Sequence, residues 1–401
     1  MTDKAFSGLR VLDMGQIYNG PYCGLLLGLL GADVIKVEPP GGERLRFRST
    51  DAVETHEFMM LNSNKRSIVL DLKTEAGKSL FLDLASEVDV VIENFAPGAM
   101  ERMGLSPTTL MERNPRLIFA SGKGYGNQGP YAHMAAMDIT VQAMAGVIAS
   151  TGFPDGPPVK AGPAFADIMG GIHLFAGIAT ALYQREHTGR GQAVEVSMHD
   201  TIYPALASVL GALYNDPARV VPERTGNRHS GLAVAPYNVY RAADGHIAIM
   251  SANERHAIGV MELAGGAEMT SDPRYATRYS RLEHMDELDA QVEAWTRGFD
   301  RWALVRMLAE KGVPSAPVLT VREVAEDPHL RERGMIRDVE HPLRGTIPVP
   351  GSPIRLGDSS VEVRAAPELA EGTNAILAEL LEAGDEQIAM WRREGAFGET
   401  K

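Results

Sequence analysis

Cysteine is nearly missing from the sequence: Cys23 is the single one in 401 residues. One thiol excludes an internal disulfide framework and offers no thiolate cluster to a metal. Positive charge is also in deficit, with 39 Lys and Arg against 52 Asp and Glu and a formal net charge of −13. Such a chain has no general basic field to neutralise nucleic-acid phosphates or to adhere to an anionic membrane, so an anionic ligand must find a local basic patch. No uninterrupted apolar run reaches the ~20 residues of a membrane span, and the opening "MTDKAFSGLRVLDMG" has no apolar signal core. The expectation is a soluble protein of a reducing cytoplasm, with neither nucleic acid nor membrane as partner. Internal repeats and low-complexity tracts are absent too.

What is present is an ordinary globular composition. With 44% hydrophobic and 23% charged residues, the chain can bury a substantial core and is long enough for two domains. "LRVLDMG", the small-residue helix "GPYCGLLLGLLGA" and "DVIKVE" read as strand, crossover helix and strand, the unit of a parallel α/β sheet. "RSIVLDL", a helix over "EAGKSLFLDLASE", "VDVVIENF", a short helix near "GAMERMG" and "RLIFASG" repeat the unit to residue 122. In open sheets of this kind ligands bind beyond the carboxyl ends of the strands. The composition changes after about residue 205, where "PYNVYRAADGHIAIMSA" reads as a hairpin around Asp244-Gly245 followed by amphipathic helices. The predicted organisation is a large Rossmann-like α/β domain from 1–205 and 325–401 and a smaller α+β domain from 225–320. Linkers are placed near 206–224 and 321–350.

Two local signals need weighing. "GYGNQG", Gly124 to Gly129, follows a strand and has the glycine pattern of a dinucleotide loop, but Pro130 comes next and no helix begins inside it. It reads as a turn. "AGPAFADIMGGIHLFAGIATALYQ" sets Asp167 at the head of a long apolar run that ends in the Gly189 to Gly191 turn. Asp167 there is either a helix N-cap, stabilising by about 0.5–2 kcal/mol, or a reagent.

The segments "GLRVLDMGQIYNGPYCGLLLGLLGADVIKVEPPGGE", "LNSNKRSIVLDLK", "VIENFAPGAMERMGL", "ASGKGYGNQGPY", "AFADIMGG" and "HTGRGQAVEVSMHD", in this order and spacing, resemble the family III CoA transferases. That family shares its fold with alpha-methylacyl-CoA racemase. The resemblance runs from near residue 7 to the C-terminal region and is densest in the first 200 residues. It implies an interlocked homodimer, coenzyme A and acyl-CoA as substrates with no permanently bound cofactor and no metal, and Asp167 as the catalytic carboxylate. Gly170 and Gly171 would leave room for a ligand to approach it closely.

By the same resemblance, Leu70, Lys73, Asn94, Phe95, Ala99, Arg102, Met103, Lys123 and Tyr125 line a CoA groove, with Ile17, Tyr18 and Asn19 near its reactive end. CoA carries a 3′-phosphate and a pyrophosphate, and Lys65, Arg66, Lys73, Arg102 and Lys123 are cations flanking the strands. Pro39 and Pro40 stand where some relatives have a nucleotide-contacting basic residue, so Arg44, Arg46 or Arg48 is expected to supply it or to meet a substrate carboxylate. Gln16, Arg46 and Met137 are the candidates nearest the acyl pocket, and Arg46 is the reason to expect a short dicarboxylic acid.

A desolvated carboxylate aligned with a thioester carbonyl can form a mixed anhydride and expel CoA thiolate, which then returns to make an aspartyl-CoA thioester. The expected activity is therefore transfer of CoA between an acyl-CoA and a carboxylic acid. Two alternatives stand beside it. Racemase-like proton transfer needs an acid/base on each face of the alpha carbon, yet Met137 stands where racemase-like relatives have His, leaving only His133 as a substitute. A non-enzymatic acyl-CoA binder would keep the groove and have no use for Asp167.

Overall fold

The structure of the chain is a computed structural model that describes residues 4–47, 54–215 and 222–398. It divides into two compact units, one of residues 1–144, 162–202 and 327–401 and the other of residues 145–161 and 203–326. The excursion 145–161, which includes a helical turn, is grouped with the second unit and had no signal in the sequence.

The first unit is built on six parallel strands, β1 (Arg10–Asp13), β2 (Asp33–Glu38), β3 (Lys65–Val69), β4 (Val90–Glu93), β5 (Ile118–Lys123) and β6 (Ala193–Ser197), in the order β3-β2-β1-β4-β5-β6. β1, β2 and β4 are short runs of Val, Ile and Leu buried on both faces, as strands covered by helices on either side require. The helices are α1 (Asn19–Gly28), α2 (His56–Asn62), α3 (Glu75–Ser86), α4 (Ala99–Arg102), α5 (Pro107–Arg113), α6 (Asp138–Met144), α7 (Val147–Ser150, in the second unit), α8 (Phe165–Thr188) and α9 (Met198–Ile202). One core packs α3 and the C-terminal helix Thr373–Leu381 on one face through Leu80, Phe81, Leu84, Ile376 and Leu377. The other packs α1 and α8 on the opposite face through Cys23, Leu27, Leu174 and Ile178.

The strand order reverses between β1 and β4, so the loops leaving these strands diverge and open a crevice at their carboxyl ends. The Asn94 carboxamide ties the two loops together, accepting from Gln16 N at 2.7 Å and donating to Gln16 O at 2.9 Å. Ile17 is held with φ = 65°, a left-handed conformation rare for a β-branched side chain, and its N–H donates to Glu43 Oε2 at 3.2 Å.

The second unit carries an antiparallel sheet, β7 (Tyr237–Ala242), β8 (Gly245–Met250) and β9 (Ser315–Pro317), covered by helices at Glu254–Thr270, Met285–Thr296 and Arg301–Glu310. The expected linker at 321–350 is replaced in part by structure: β10 (Ile336–His341) and β11 (Gly345–Pro350) form a regular antiparallel hairpin. Val339, Ile347 and Val349 alternate inward, so the segment buries one apolar face against Leu45, Phe58 and Met59. "GYGNQG" is a turn, with Gly126 and Gly129 at φ of 80° and 90°, and no helix starts before Asp138.

Arg46 is fully buried inside the first unit, which also holds this hairpin. Its guanidinium makes a forked pair with Glu38 at 2.9 and 2.6 Å, pairs with Glu54, donates to Pro367 O at 2.9 Å and stacks 3.9 Å from the Phe58 ring centroid. These partners use up its donors, so Arg46 does not reach a substrate carboxylate or a phosphate, and the expectation that it does is withdrawn. Arg48 lies outside the described residues. Truncating one member of a buried charged network strands the others, at about 3–5 kcal/mol. Arg46→Ala is therefore expected to lose stability of that order in urea denaturation, with no selective rise in KM for a dicarboxylate among variants that still fold.

Candidate active site

A groove of about 980 Å³ follows the carboxyl edge of the sheet across the β1/β4 switch point. That volume lies at the upper end for small-molecule sites and suits a long flexible arm. Of the expected residues, Gln16, Ile17, Asn19, Leu70, Lys73, Asn94, Phe95, Ala99, Arg102, Met103, Lys123, Tyr125, Met137 and Asp167 all line it. Tyr18 and Arg46 do not; Tyr18 packs on the cluster around Leu45 and Phe58 instead.

The cations sort differently from their sequence positions. Lys65 and Arg66 open β3 at its amino end, away from the groove. Lys65 is buried against Asp13 at 2.7 Å, and burial pulls its ammonium down to about 8 despite that partner. Arg66 forks onto Asp33 at the sheet's far edge. Lys123 lines the groove but is held by Glu93 Oε2 and Phe95 O, both at 2.8 Å. Lys73 and Arg102 stay exposed on the groove wall, and Arg102 donates to the Pro97 carbonyl at 3.2 Å. Arg44, exposed in the loop after Pro39-Pro40, joins them, as does Lys78, which the sequence reading had not singled out. The signal that was available is its place one turn into α3, directly after the β3 loop.

Asp167 is the third residue of α8 and 8% exposed. It is not the cap: the N-cap position is Ala164, which makes no side-chain cap. The first-turn N–H groups of Ala166 and Asp167 are taken by Asp138 Oδ1, at 2.8 and 3.3 Å, while Gln142 Nε2 holds Asp138 Oδ2 at 2.6 Å. Asp138 thus caps α8 from the start of α6. Sequence reasoning had no means to find this, since the two residues are far apart in the chain and neither forms a capping motif. Freed from capping, the Asp167 carboxylate has no side-chain hydrogen bond among the described residues. Burial pushes it up to about 7, and the neighbouring negative charge of Asp138 adds to the rise.

Gly170 and Gly171 serve a purpose other than the one expected. A Cβ at Gly170 would meet the Asn19 amide nitrogen at 2.2 Å, and one at Gly171 would meet Asn19 O at 2.7 Å. The glycines admit α1 against α8 and so bring Asn19 to the groove. Met137 is 56% exposed on the groove rim and carries no titratable group; His133 is exposed and outside the lining. Among the described residues no cluster of three or more His, Cys, Asp or Glu is placed to hold a metal.

A buried, uncommitted carboxylate at the end of a long groove with free cations on its wall is an arrangement for acyl chemistry on an anionic carrier. The chain matches CoA-transferase family III over residues 6–373. It belongs to that family. It is 37% identical to a formyl-CoA:oxalate CoA-transferase of Streptomyces coelicolor, over 99% of this chain and all of the relative. It is 36% identical to an acetyl-CoA:oxalate CoA-transferase of Acetobacter aceti, over 99% of this chain and 97% of the relative. Among solved structures, a CAIB/BAIF family protein from Brucella suis superposes with a TM-score of 0.83 at 36% identity, covering 94% of this chain and all of the other. The enzyme is thus a CoA transferase on the α/β fold expected for the family.

The raised pKa of Asp167 has a consequence for stability. The folded state holds this proton up to about 7, whereas the unfolded chain loses it near 3.8, so the folded state loses stability as pH rises through that window. Asp167→Asn removes the penalty. It is expected to raise the melting temperature at pH 8, by up to about 4 kcal/mol of stability, and to change it little at pH 4. Thermal denaturation at the two pH values measures the difference.

Proposed function

We propose that this enzyme moves CoA between a short acyl-CoA and a short dicarboxylate such as oxalate, with Asp167 as the covalent carrier. The single observation that carries the reading is the buried Asp167 carboxylate, unpartnered and facing a groove of CoA dimensions. Its oxygen attacks the thioester carbonyl, giving a mixed anhydride and CoA thiolate. The thiolate attacks the aspartyl carbonyl, releasing the first acid and leaving an aspartyl-CoA thioester. The incoming dicarboxylate attacks that thioester and the two steps run in reverse. Each step exchanges one activated acyl group for another, so the groove's task is alignment and exclusion of water. Desolvation that raises the Asp167 pKa also makes its ionised form a stronger nucleophile.

Lys73, Arg102 and Arg44 are assigned to the CoA phosphates, being exposed on the groove wall. Leu70, Phe95, Ala99, Met103 and Tyr125 form the apolar lining for the pantetheine arm, with Gln16, Ile17 and Met137 at the acyl end. With Arg46 withdrawn, the dicarboxylate rests on the oxalate-using relatives, not on a cation in the pocket. Racemisation is disfavoured because Met137, a groove-lining residue that cannot shuttle a proton, stands where racemase-like relatives carry His.

The enzyme is further assigned to the cytoplasm and to an interlocked homodimer. In support of the dimer, α8 presents Ile172, Ala176 and Tyr183 on one exposed face at helical spacing, Tyr183 being 71% exposed. That helix is 24 residues long, apolar enough by composition to cross a membrane, yet packed on β5, β6 and α1. Light scattering at micromolar protein is expected to give twice the chain mass, and Ile172→Arg is expected to reduce it.

Asp167→Ala is expected to retain CoA binding and to lose exchange of labelled CoA between formyl-CoA or acetyl-CoA and oxalate by at least about 10³-fold. Exchange persisting in that variant would sink the mechanism. In the parent enzyme kcat/KM should rise about tenfold per pH unit below 7 and level off above it, following ionisation of Asp167. Asp138→Asn should move that limb to lower pH, because it removes the adjacent negative charge.

A further inference from the structure

Asn19 opens α1 and is 2% exposed, yet neither end of its carboxamide has a hydrogen-bond partner among the described residues. An unpartnered buried amide is destabilising, and nothing local offsets it, since α1 has no side-chain cap. The amide occupies a slot that exists because its neighbours lack side chains. A Cβ on Gly122, at the end of β5, would lie 2.2 Å from Asn19 Oδ1, and one on Gly170 would lie 2.2 Å from Asn19 Nδ2. Asn19, Gly122 and Asp167 all line the groove.

The geometry relative to Asp167 follows from helix periodicity. Gly170 is three residues beyond Asp167, so the two positions share a face of α8 with side-chain roots about 5–6 Å apart. Asn19 Nδ2 stands where the Gly170 side chain would begin, one turn from the Asp167 carboxylate. That is the distance at which a donor reaches the carbonyl oxygen of an acyl group bonded to Asp167.

We propose that Asn19 is a further catalytic residue, whose Nδ2–H donates to the acyl oxygen that becomes anionic during attack at Asp167. The inference rests on the covalent role of Asp167 proposed above. An Asp167 oxygen forms a C–O bond to the thioester carbonyl carbon, and the carbonyl π pair moves onto its oxygen, where Asn19 meets it. The pair returns, the C–S bond breaks, and CoA leaves as thiolate. No proton is transferred, so a neutral, non-titrating donor buried from water suits the step. The missing partner of the amide is then the reacting acyl oxygen itself.

The test compares kinetics with stability in the full-length enzyme. Asn19→Ala is expected to lower kcat for formyl-CoA:oxalate exchange by about 10²–10³-fold while changing KM for the acyl-CoA by less than about threefold. Its melting temperature should hold or rise, because an unpartnered polar group has been removed; a merely structural residue would lose stability. Gly170→Ala, whose Cβ displaces the Asn19 amide without altering its chemistry, should give the same fall in kcat. The double variant should be no worse than either single one. Asn19→Asp, isosteric but without the donor, keeps the test open if the alanine variant misfolds, and should be at least as slow as Asn19→Ala. Variants at Asn19 with kcat within about threefold of the parent, in an enzyme that Asp167→Ala inactivates, overturn the role of Asn19 and leave that of Asp167 standing. An active Asp167→Ala enzyme overturns the reading on which this one rests.

Discussion

The close approach of α1 to α8 is the constraint on which the site depends. It requires residues without side chains at Gly170 and Gly171, where any Cβ would collide with Asn19. The approach fixes where α8 begins relative to the β1/β4 crevice, and so where Asp167 faces. It also buries the Asp167 carboxylate, and that desolvation raises its pKa. A helix N-terminus ordinarily lowers a carboxylate's pKa. Here the N–H groups of Ala166 and Asp167 are already taken by Asp138, so the stabilising donors go to one carboxylate and the other is left without them.

A second theme is the carboxyl edge of the sheet. Three of its strands end in buried acids, Asp13, Glu38 and Glu93, and each has drawn in a cation: Lys65, Arg46 and Lys123. A buried charge without a partner is far costlier than a surface one, so these pairings take precedence over ligand binding. In a chain with net charge −13, that internal neutralisation leaves few free cations at the groove. Arg44, Lys73 and Arg102 stand on the outer wall, where a phosphorylated carrier can pair with them without disturbing the core. In the proposed mechanism the catalytic carboxylate and the phosphate-binding cations are thereby separate: Asp167 is buried beside the negative Asp138, and the cations are exposed on the groove wall.

What the sequence determined by itself was local and periodic. The β-branched runs at "RVLD", "DVIKVE" and "VVIE", the crossover helices and the Gly189 helix stop are consequences of short-range rules, and they sufficed for a parallel α/β sheet. The glycine-rich "GYGNQG" could be dismissed because no helix of the kind a phosphate loop needs begins inside it, and Pro130 follows at once. Most groove residues were legible too, but through the family resemblance; local pattern alone indicated only the carboxyl edge of the sheet. Only the tertiary structure decided the rest, because it turns on partners distant in the chain. Strand order places the crevice between β1 and β4; the sequence of the strands does not say which will be neighbours. Arg46 and Lys65 look like anion-binding residues until the acids beside them appear, and a cation's availability depends on what it already neutralises. The 336–350 hairpin looked like a linker because its prolines and glycines hide an alternating apolar face. Asp138 caps a helix that begins 27 residues later, and Asn19 is orphaned only because β5 and α8 close around it without offering a hydrogen bond. Hydrogen-bond satisfaction and desolvation are properties of packed surroundings, and no local pattern of residues encodes them.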